Sequence, residues 1–473
     1  MLYDLQREVF MKKLSFIFLI MLMAFTENCF AKAKDGIKLP SERIQKFETY
    51  LDELAEVYHI PGMAFFITSP DHTLFEKAYG ECTSLDQQFF IGSMSKSYTA
   101  LCVMQLVEKG KIKLEDDISV YLPDYKFSKP VTVLSLLNHT SGFDTHAKLH
   151  NAKLTKSYGK YEYANVNYDL LGKIIEKVSG MAYEDYIKQN VFNPLEMKDS
   201  NANARKVKDS PKLLRGNRNY FGFFKREEAI YPVEKSWFHE PAGYIATTPH
   251  DHAKYLRMYL NEGVVENRQT GKNQIISQES INSMWYKNVS LGVKEYDAYY
   301  GMGWNFMEWK GQKLVFHGGQ VENGITYMFI LPDEKLGVCF MLNASDQFGL
   351  NNLMDNTIWD SLSIIRGEEP EKINHKSYVL LHIMIDAVYL CMLCFSIFIL
   401  IRSIKTKRRI SIIFAVSCYI IWPLLLIFFT KIFVQTPLWV VQLFVPDLYI
   451  IIILSVILSV VAGIIKVIKV IGR

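Results

Sequence analysis

Three short segments of this chain carry residue types suited to acyl transfer: Ser93-Met94-Ser95-Lys96, Tyr163-Ala164-Asn165 and His317-Gly318-Gly319. A serine hydroxyl is a weak nucleophile at its own pKa, so it needs a proton acceptor within hydrogen-bond reach and donors aimed at the developing oxyanion. Ser93 follows the apolar run Phe89-Phe90-Ile91-Gly92 and opens a predicted helix, where free backbone N–H groups and the helix dipole favour negative charge. Lys96, three residues on, shares its face and can accept or relay its proton. Tyr163 is a candidate phenolate-type base if positive neighbours lower its pKa, and Asn165 is a candidate for orienting a substrate amide. His317 ends an apolar strand. Gly318 and Gly319 after it would let a substrate approach the backbone closely, and the N–H of Gln320 could join that of Ser93 in an oxyanion site.

Each segment also has an ordinary explanation: an N-cap serine with a solvated lysine, an aromatic loop, and a hairpin turn. Their joint occurrence, in this order, favours a site. A metal centre on His250 and His252 would lack the helical H-E-x-x-H arrangement, so neither a metal nor another cofactor is expected.

The elements that must position these residues are readable from periodicity. Ser41–Tyr58 has apolar residues at helical spacing, and Gly62–Ile67 with Thr73–Ala78 reads as a hairpin turning at Ser69-Pro70-Asp71. Helices are predicted from Ser93 to Gly110 and over Tyr168–Val178, the latter closed by Gly180. Lys313–Phe316, Ile325–Leu331 and Gly337–Asn343 read as consecutive antiparallel strands. Strands at both ends with helices between them predict an α/β sandwich with an antiparallel sheet, fed by both ends of the domain, plus an all-α region.

The ends of the chain speak of a membrane. Lys12-Lys13, the apolar run Leu14–Phe25 and the small residues Ala31 and Ala33 have the order of a secretory leader over residues 1–33, with Met11 the natural initiator. A hydrolase domain is expected over 34–368. Apolar stretches at 378–401, 410–430 and 448–470 each have the length of a membrane-crossing helix. Residues 371–473 hold 11 Lys/Arg against 3 Asp/Glu, a net of +8 that leaves −4 for the rest of a chain of net +4, and these basic residues flank apolar runs rather than forming a nucleic-acid-binding face. The basic link Arg402–Arg409 belongs in the cytoplasm by the positive-inside rule, which puts the hydrolase domain outside, the C-terminus inside, and Trp439 and Tyr449 at the outer interface. Asp386, the one acid in the first run, is read as a helix-contact residue, and Pro423 as a kink in the second. The cysteines are too few for a disulfide framework and leave room for one bridge at most among Cys82, Cys102 and Cys339.

The three segments, together with Leu136-Leu137-Asn138-His139-Thr140-Ser141-Gly142, Leu170-Leu171-Gly172 and Pro241-Ala242-Gly243, resemble the β-lactamase-related serine hydrolases: class C β-lactamases, DD-peptidases and penicillin-binding proteins, and their esterase relatives. The resemblance covers about residues 40–360. It implies an α/β sandwich beside a helical region, with the site in the groove between them. It further implies Ser93 as acylated nucleophile, Lys96 and Tyr163 as the proton-transfer pair, and Asn165 as a substrate-amide contact. His317 stands where β-lactamases carry the lysine of K-[ST]-G, and a largely neutral histidine is a poorer carboxylate ligand than a permanent cation. The expected activity is therefore hydrolysis, through an acyl-enzyme, of an amide or ester, most simply a D-amino-acid-containing cell-envelope substrate. A β-lactamase, an esterase or D-aminopeptidase, and a penicillin-binding receptor without turnover are the alternatives. The expected partners are that substrate and the lipid bilayer, with no nucleic acid.

Overall fold

The computed structural model describes residues 37–473, apart from 268–270, 287, 293–296, 310, 372, 374, 407–411 and 472–473. The leader and part of the basic link thus lie outside the described residues.

The first helix, α1 (Ser41–Val57), buries Phe47, Tyr50, Leu51 and Leu54, an apolar stripe at helical spacing. It is followed by the hairpin β1 (Gly62–Thr68) and β2 (Thr73–Gly80), as the sequence predicts. Late in the domain come β5 (Val289–Ser290), β6 (Ala298–Tyr300), β7 (Asn305–Trp309), β8 (Gln312–Val321), β9 (Gly324–Leu331) and β10 (Leu336–Leu342). Between the two groups a small hairpin, β3 (Asn217–Tyr220) and β4 (Phe223–Arg226), pairs in parallel through β3 with β11 (Ala344–Ser345). The main sheet has eight strands in the order β2-β1-β10-β9-β8-β7-β6-β5, antiparallel throughout, with β1 meeting β10 in the register Met63↔Leu342 to Thr68↔Gly337. The first and a late strand are therefore neighbours, as expected.

Successive side chains on a strand face opposite sides, and β1 shows the consequence. Phe65 meets Phe47 of α1 and Phe340 of β10, with ring centroids 5.4 and 4.6 Å apart. Phe66 faces the other layer, 6.2 Å from the ring of His252. His252 belongs to α4 (Pro249–Leu260), which starts with Pro249 after an N-cap Thr248 whose side chain accepts the N–H of Asp251. Helix α5 (Leu350–Arg366) lies with α1, where the Tyr50 hydroxyl donates to Asp360 Oδ2 at 2.7 Å.

Two helices of the middle region matter to the site. In α2 (Ser95–Glu108) every residue from Ser95 to Leu106 is buried, as in a helix enclosed by core on all sides. Helix α3 (Asn165–Ser179) ends at Gly180, whose φ of +72° is the left-handed cap that its sequence position suggests. Cys82, Cys102 and Cys339 are free thiols, so no bridge forms among them.

Among the described residues, three helices are long and apolar enough to cross a membrane: α6 (His375–Lys405), the segment Ile412–Val416 continuing through a wide turn at Ser417–Ile421 into α7 (Trp422–Phe433), and α9 (Pro446–Ile471). Pro423 cannot donate to the preceding turn, and the wide turn just before it absorbs that missing bond. Short α8 (Leu438–Phe444) joins α7 to α9. The three helices pack through Ile399, Cys418 and Ala462, and Trp422 Nε1 donates to Ser396 Oγ at 3.1 Å.

Phe65 is fully buried among three rings. Phe65→Ala should therefore lower stability by about 3–5 kcal/mol, read as a fall in the thermal midpoint of the purified chain.

Candidate active site

Ser93 lies in a single tight turn, Gly92–Met94, immediately before α2 rather than within the helix. The residue at the N-cap position is Met94, which makes no side-chain cap, so helix capping does not explain Ser93. Nor is Lys96 solvated. It is fully buried, and its Nζ lies 2.9 Å from Ser93 Oγ, 2.7 Å from Asn165 Oδ1 and 2.6 Å from the carbonyl oxygen of Ala242.

Burial drives the Lys96 pKa down to about 7, against the opposing charge of Asp169. In the neutral amine the two N–H bonds match Asn165 Oδ1 and Ala242 O, and the lone pair is left for the hydroxyl proton of Ser93. Asp169, one turn beyond Asn165 on α3, is itself held by the backbone N–H of His239 at 3.1 Å and by His239 Nδ1 at 2.9 Å.

The Lys96 amine also sits 4.8 Å from the ring centroid of Tyr163. The phenolate expectation is corrected here. Burial raises the Tyr163 pKa well above 10, and the neighbouring Ser93 only partly offsets it, so Tyr163 is a phenol at neutral pH. Asn165 spends its amide oxygen on Lys96, which leaves the amide N–H groups for a ligand.

The third segment arrives on β8. Its pairing with β7 ends at Phe316, opposite Asn305, so His317–Val321 runs on without a ladder partner on that side among the described residues. This is an edge to which an extended substrate can add. The strand also presses against the serine turn. A Cβ on Gly92 (φ +51°) would lie 2.2 Å from the backbone nitrogen of Gln320, and one on Gly319 would lie 2.0 Å from the carbonyl oxygen of Ile91. Thr326 Oγ1 fastens the same contact, donating to Ile91 O at 2.9 Å. These glycines bring the N–H-bearing backbone of Gln320 beside that of Ser93. The Gln320 side chain points elsewhere, donating to Ser345 Oγ and Gln347 Oε1, both at 3.1 Å.

His317 is buried and neutral. Burial and the nearby Lys96 lower its pKa to about 3. Nδ1 donates to Gly318 O at 2.6 Å, so Nε2 accepts from the Tyr300 hydroxyl at 3.2 Å. Ser93, Tyr163, His317, Gly319 and Gln320 all line one cavity of about 320 Å³, with Tyr161, Tyr300, Tyr327 and Asn305 completing much of its wall. Lys96 and Asn165 lie beneath its floor. None of the lining side chains carries a formal charge at neutral pH. His250 and His252 are remote from this set: His250 pairs with Asp86, and His252 is buried against the hydroxyl of Tyr98.

Sequence reasoning missed three contributors. The carbonyl of Ala242 carries no side-chain signature. Tyr300 sits on a strand too short to stand out. His139 lay within a quoted motif but without a role. It adopts φ +61°, and its carbonyl and Nδ1 accept the N–H groups of Glu162 (2.9 Å) and Ala164 (3.2 Å), bracketing Tyr163. Nδ1 also takes Asn167 Nδ2 at 2.8 Å, and the ring lies on that of Tyr163 with centroids 4.4 Å apart.

The model of the family described as Beta-lactamase matches residues 47–358, most of the chain and the whole of this site. The chain belongs to the β-lactamase family. Among curated proteins it is 24% identical over 346 residues to protein flp of Staphylococcus aureus, covering 66% of this chain and 65% of that one. The chain thus spans just under two thirds of the length of these relatives. Penicillin-binding protein 4 of Amycolatopsis lactamdurans is 24% identical over 325 residues, covering 62% of this chain and 83% of the relative. Among solved structures, the octameric penicillin-binding protein homologue of Pyrococcus abyssi aligns with a TM-score of 0.59 and 26% identity, over 70% of this chain and 78% of that one. A D-stereospecific amidohydrolase from Streptomyces sp. shares the fold, with a TM-score of 0.50 at 19% identity over 64% of this chain and 94% of that one. This β-lactamase-family chain accordingly has the sandwich and helical region of that fold.

The His139 bracket yields a test within the family fold. His139→Ala removes the acceptor and strains the left-handed backbone, and should slow hydrolysis of a chromogenic ester by about tenfold or more, mainly in kcat. His139→Asn keeps an acceptor and tolerates positive φ, and should recover most of that loss.

Proposed function

We propose that this protein is a membrane-anchored serine hydrolase that works through an acyl-enzyme on an ester or neutral amide, with a D-amino-acid-containing cell-envelope compound as the simplest substrate. The observation that carries the reading is the buried Lys96 amine 2.9 Å from Ser93 Oγ, with a pKa lowered to about 7.

In this reading Ser93 Oγ attacks the substrate carbonyl while its proton passes to Lys96 Nζ. The oxyanion forms against the backbone N–H groups of Ser93 and Gln320. Tyr163, a phenol lining the same cavity as Ser93, relays the proton from Lys96 to the departing amine or alcohol as the carbon–heteroatom bond breaks. Water then attacks the acyl-enzyme by the reverse relay, releasing the acid and restoring the Ser93 hydroxyl. Asn165 offers its amide N–H groups to the substrate, and the edge His317–Gln320 aligns it as an added strand.

The uncharged cavity favours substrates without a free carboxylate at this point, because a buried carboxylate with no cation opposite is costly. This separates the chain from relatives that place a lysine in the third motif. The names of the penicillin-binding relatives favour a cell-envelope substrate over a metabolic one. The basic residues Arg402 and Lys405 at the end of α6 and Lys466 and Lys469 at the end of α9 favour a cytoplasmic location for those ends, and hence an extracytoplasmic hydrolase domain.

Ser93→Ala should abolish labelling by a fluorescent penicillin or a serine-reactive phosphonate while leaving the thermal midpoint unchanged. Failure of the wild-type chain to label with either reagent, together with no turnover of D-alanyl peptides, esters or β-lactams, would defeat the reading. The pH dependence follows from Lys96, whose productive form is the neutral amine. kcat/KM should rise with pH through an apparent pKa near 7 and then level off, with no compensating limb from His317, whose pKa is about 3.

A further inference from the structure

The C-terminal helices touch the hydrolase domain along two seams, and both reach the lips of the Ser93 cavity. On the sheet side, Gln320 bonds to Ser345 and Gln347, and the residue between those two is Asp346. Asp346 is buried, and its Oδ2 accepts from the Tyr378 hydroxyl at 2.9 Å and from His382 Nε2 at 3.0 Å, both at the start of α6. On the helical side, Glu162, set between the cavity residues Tyr161 and Tyr163, accepts from Thr145 Oγ1 at 3.2 Å. The Thr145 carbonyl in turn accepts Trp237 Nε1 at 3.0 Å, and the Trp237 ring meets Trp439 of α8 edge-on at 5.4 Å. Lys148 completes this seam with its ammonium 4.4 Å from the Trp439 ring centroid.

A further tie lies behind the sheet-side lip, where Arg218 of β3 donates to the carbonyls of Gln442 (2.7 Å) and Leu443 at the end of α8. The β3–β4 turn then lays Phe221 on Tyr389 of α6 and leaves Phe223 77% exposed beside it.

Helix α8 links two membrane-crossing helices at one end, so it lies along the bilayer surface, where a tryptophan is favoured. The cavity mouth is therefore held close to that surface on both sides, and its wall of tyrosines and a neutral histidine suits an uncharged group rather than an ionic peptide terminus. We infer that the substrate is a membrane-borne amphiphile: an ester or amide in the uncharged headgroup region of a lipid, reached by Ser93 while the acyl tails stay in the leaflet beneath α8. This inference rests on the serine-hydrolase reading and on membrane insertion of the three helices.

The test uses the full chain in phosphatidylcholine nanodiscs and one reactive group, a fluorophosphonate that bonds to a serine oxygen with loss of fluoride. It is presented in three forms: water-soluble, on a dialkyl lipid through a spacer of a few bonds, and on the same lipid through a long polyethylene-glycol spacer. With the mouth at the surface, the short-spacer lipid should label Ser93 at least as fast as the long-spacer one, and about tenfold or more faster than the soluble probe at equal bulk concentration. Trp439→Ala, or the milder Lys148→Ala should the first not fold, should lower the short-spacer rate relative to the soluble one. Labelling by the soluble and long-spacer probes with none by the short-spacer lipid would overturn the inference while leaving the hydrolase reading intact. No labelling by any form would defeat the hydrolase reading itself.

Discussion

The removal of the Lys96 side chain from water is the constraint around which the site is arranged. An ammonium buried without full compensation costs several kcal/mol, and the fold answers by letting the group shed its proton while two oxygens receive its N–H bonds. Those oxygens come from distant parts of the chain, Asn165 at the start of α3 and the backbone of Ala242. The buried stretch Ser95–Leu106 of α2 sets Lys96 between them, so α2, α3 and the turn Glu240–Tyr244 must all be in place before the lysine has its present character. The same burial that lowers the Lys96 pKa raises that of Tyr163, so the opposite shifts of the two follow from one dielectric environment.

Backbone proximity is the second requirement. β8 approaches the serine turn so closely that neither Gly92 nor Gly319 has room for a Cβ, and β7 stops early enough to leave His317–Val321 open. Sheet and turn meet through backbone atoms, with Thr326 as the side-chain fastener. A site built this way has little tolerance for displacement of the strand, and a shift of about 1 Å in substrate position costs orders of magnitude in rate.

Much of this was legible in the sequence, for identifiable reasons. The hairpin of β1 and β2, the strands β8 to β10 and the cap at Gly180 each follow from local periodicity or turn chemistry. The three apolar helices follow from length and composition. Ser93, Lys96, Tyr163 and His317 were visible because the chemistry demands particular side chains. Features set by tertiary packing were not. The tight turn carrying Ser93 differs from a helix start only through contact with β8, the oxygen of Ala242 has no letter of its own, and the direction of the Tyr163 pKa depends on how completely the fold covers it. Trp439 was read as an interfacial aromatic, but its contact with Trp237 required knowing which loops of the hydrolase domain face α8.

The pairing of β1 with β10 also fixes an order of events during synthesis. Met63 waits for Leu342 before the centre of the sheet can close, and non-local pairing of this kind is slow to form. Strand β10 is followed by β11, α5 and then α6, so the domain receives its closing strand just before the first long apolar helix is made. The domain therefore closes its sheet only when nearly all of its residues have been made, immediately before the long apolar helices follow.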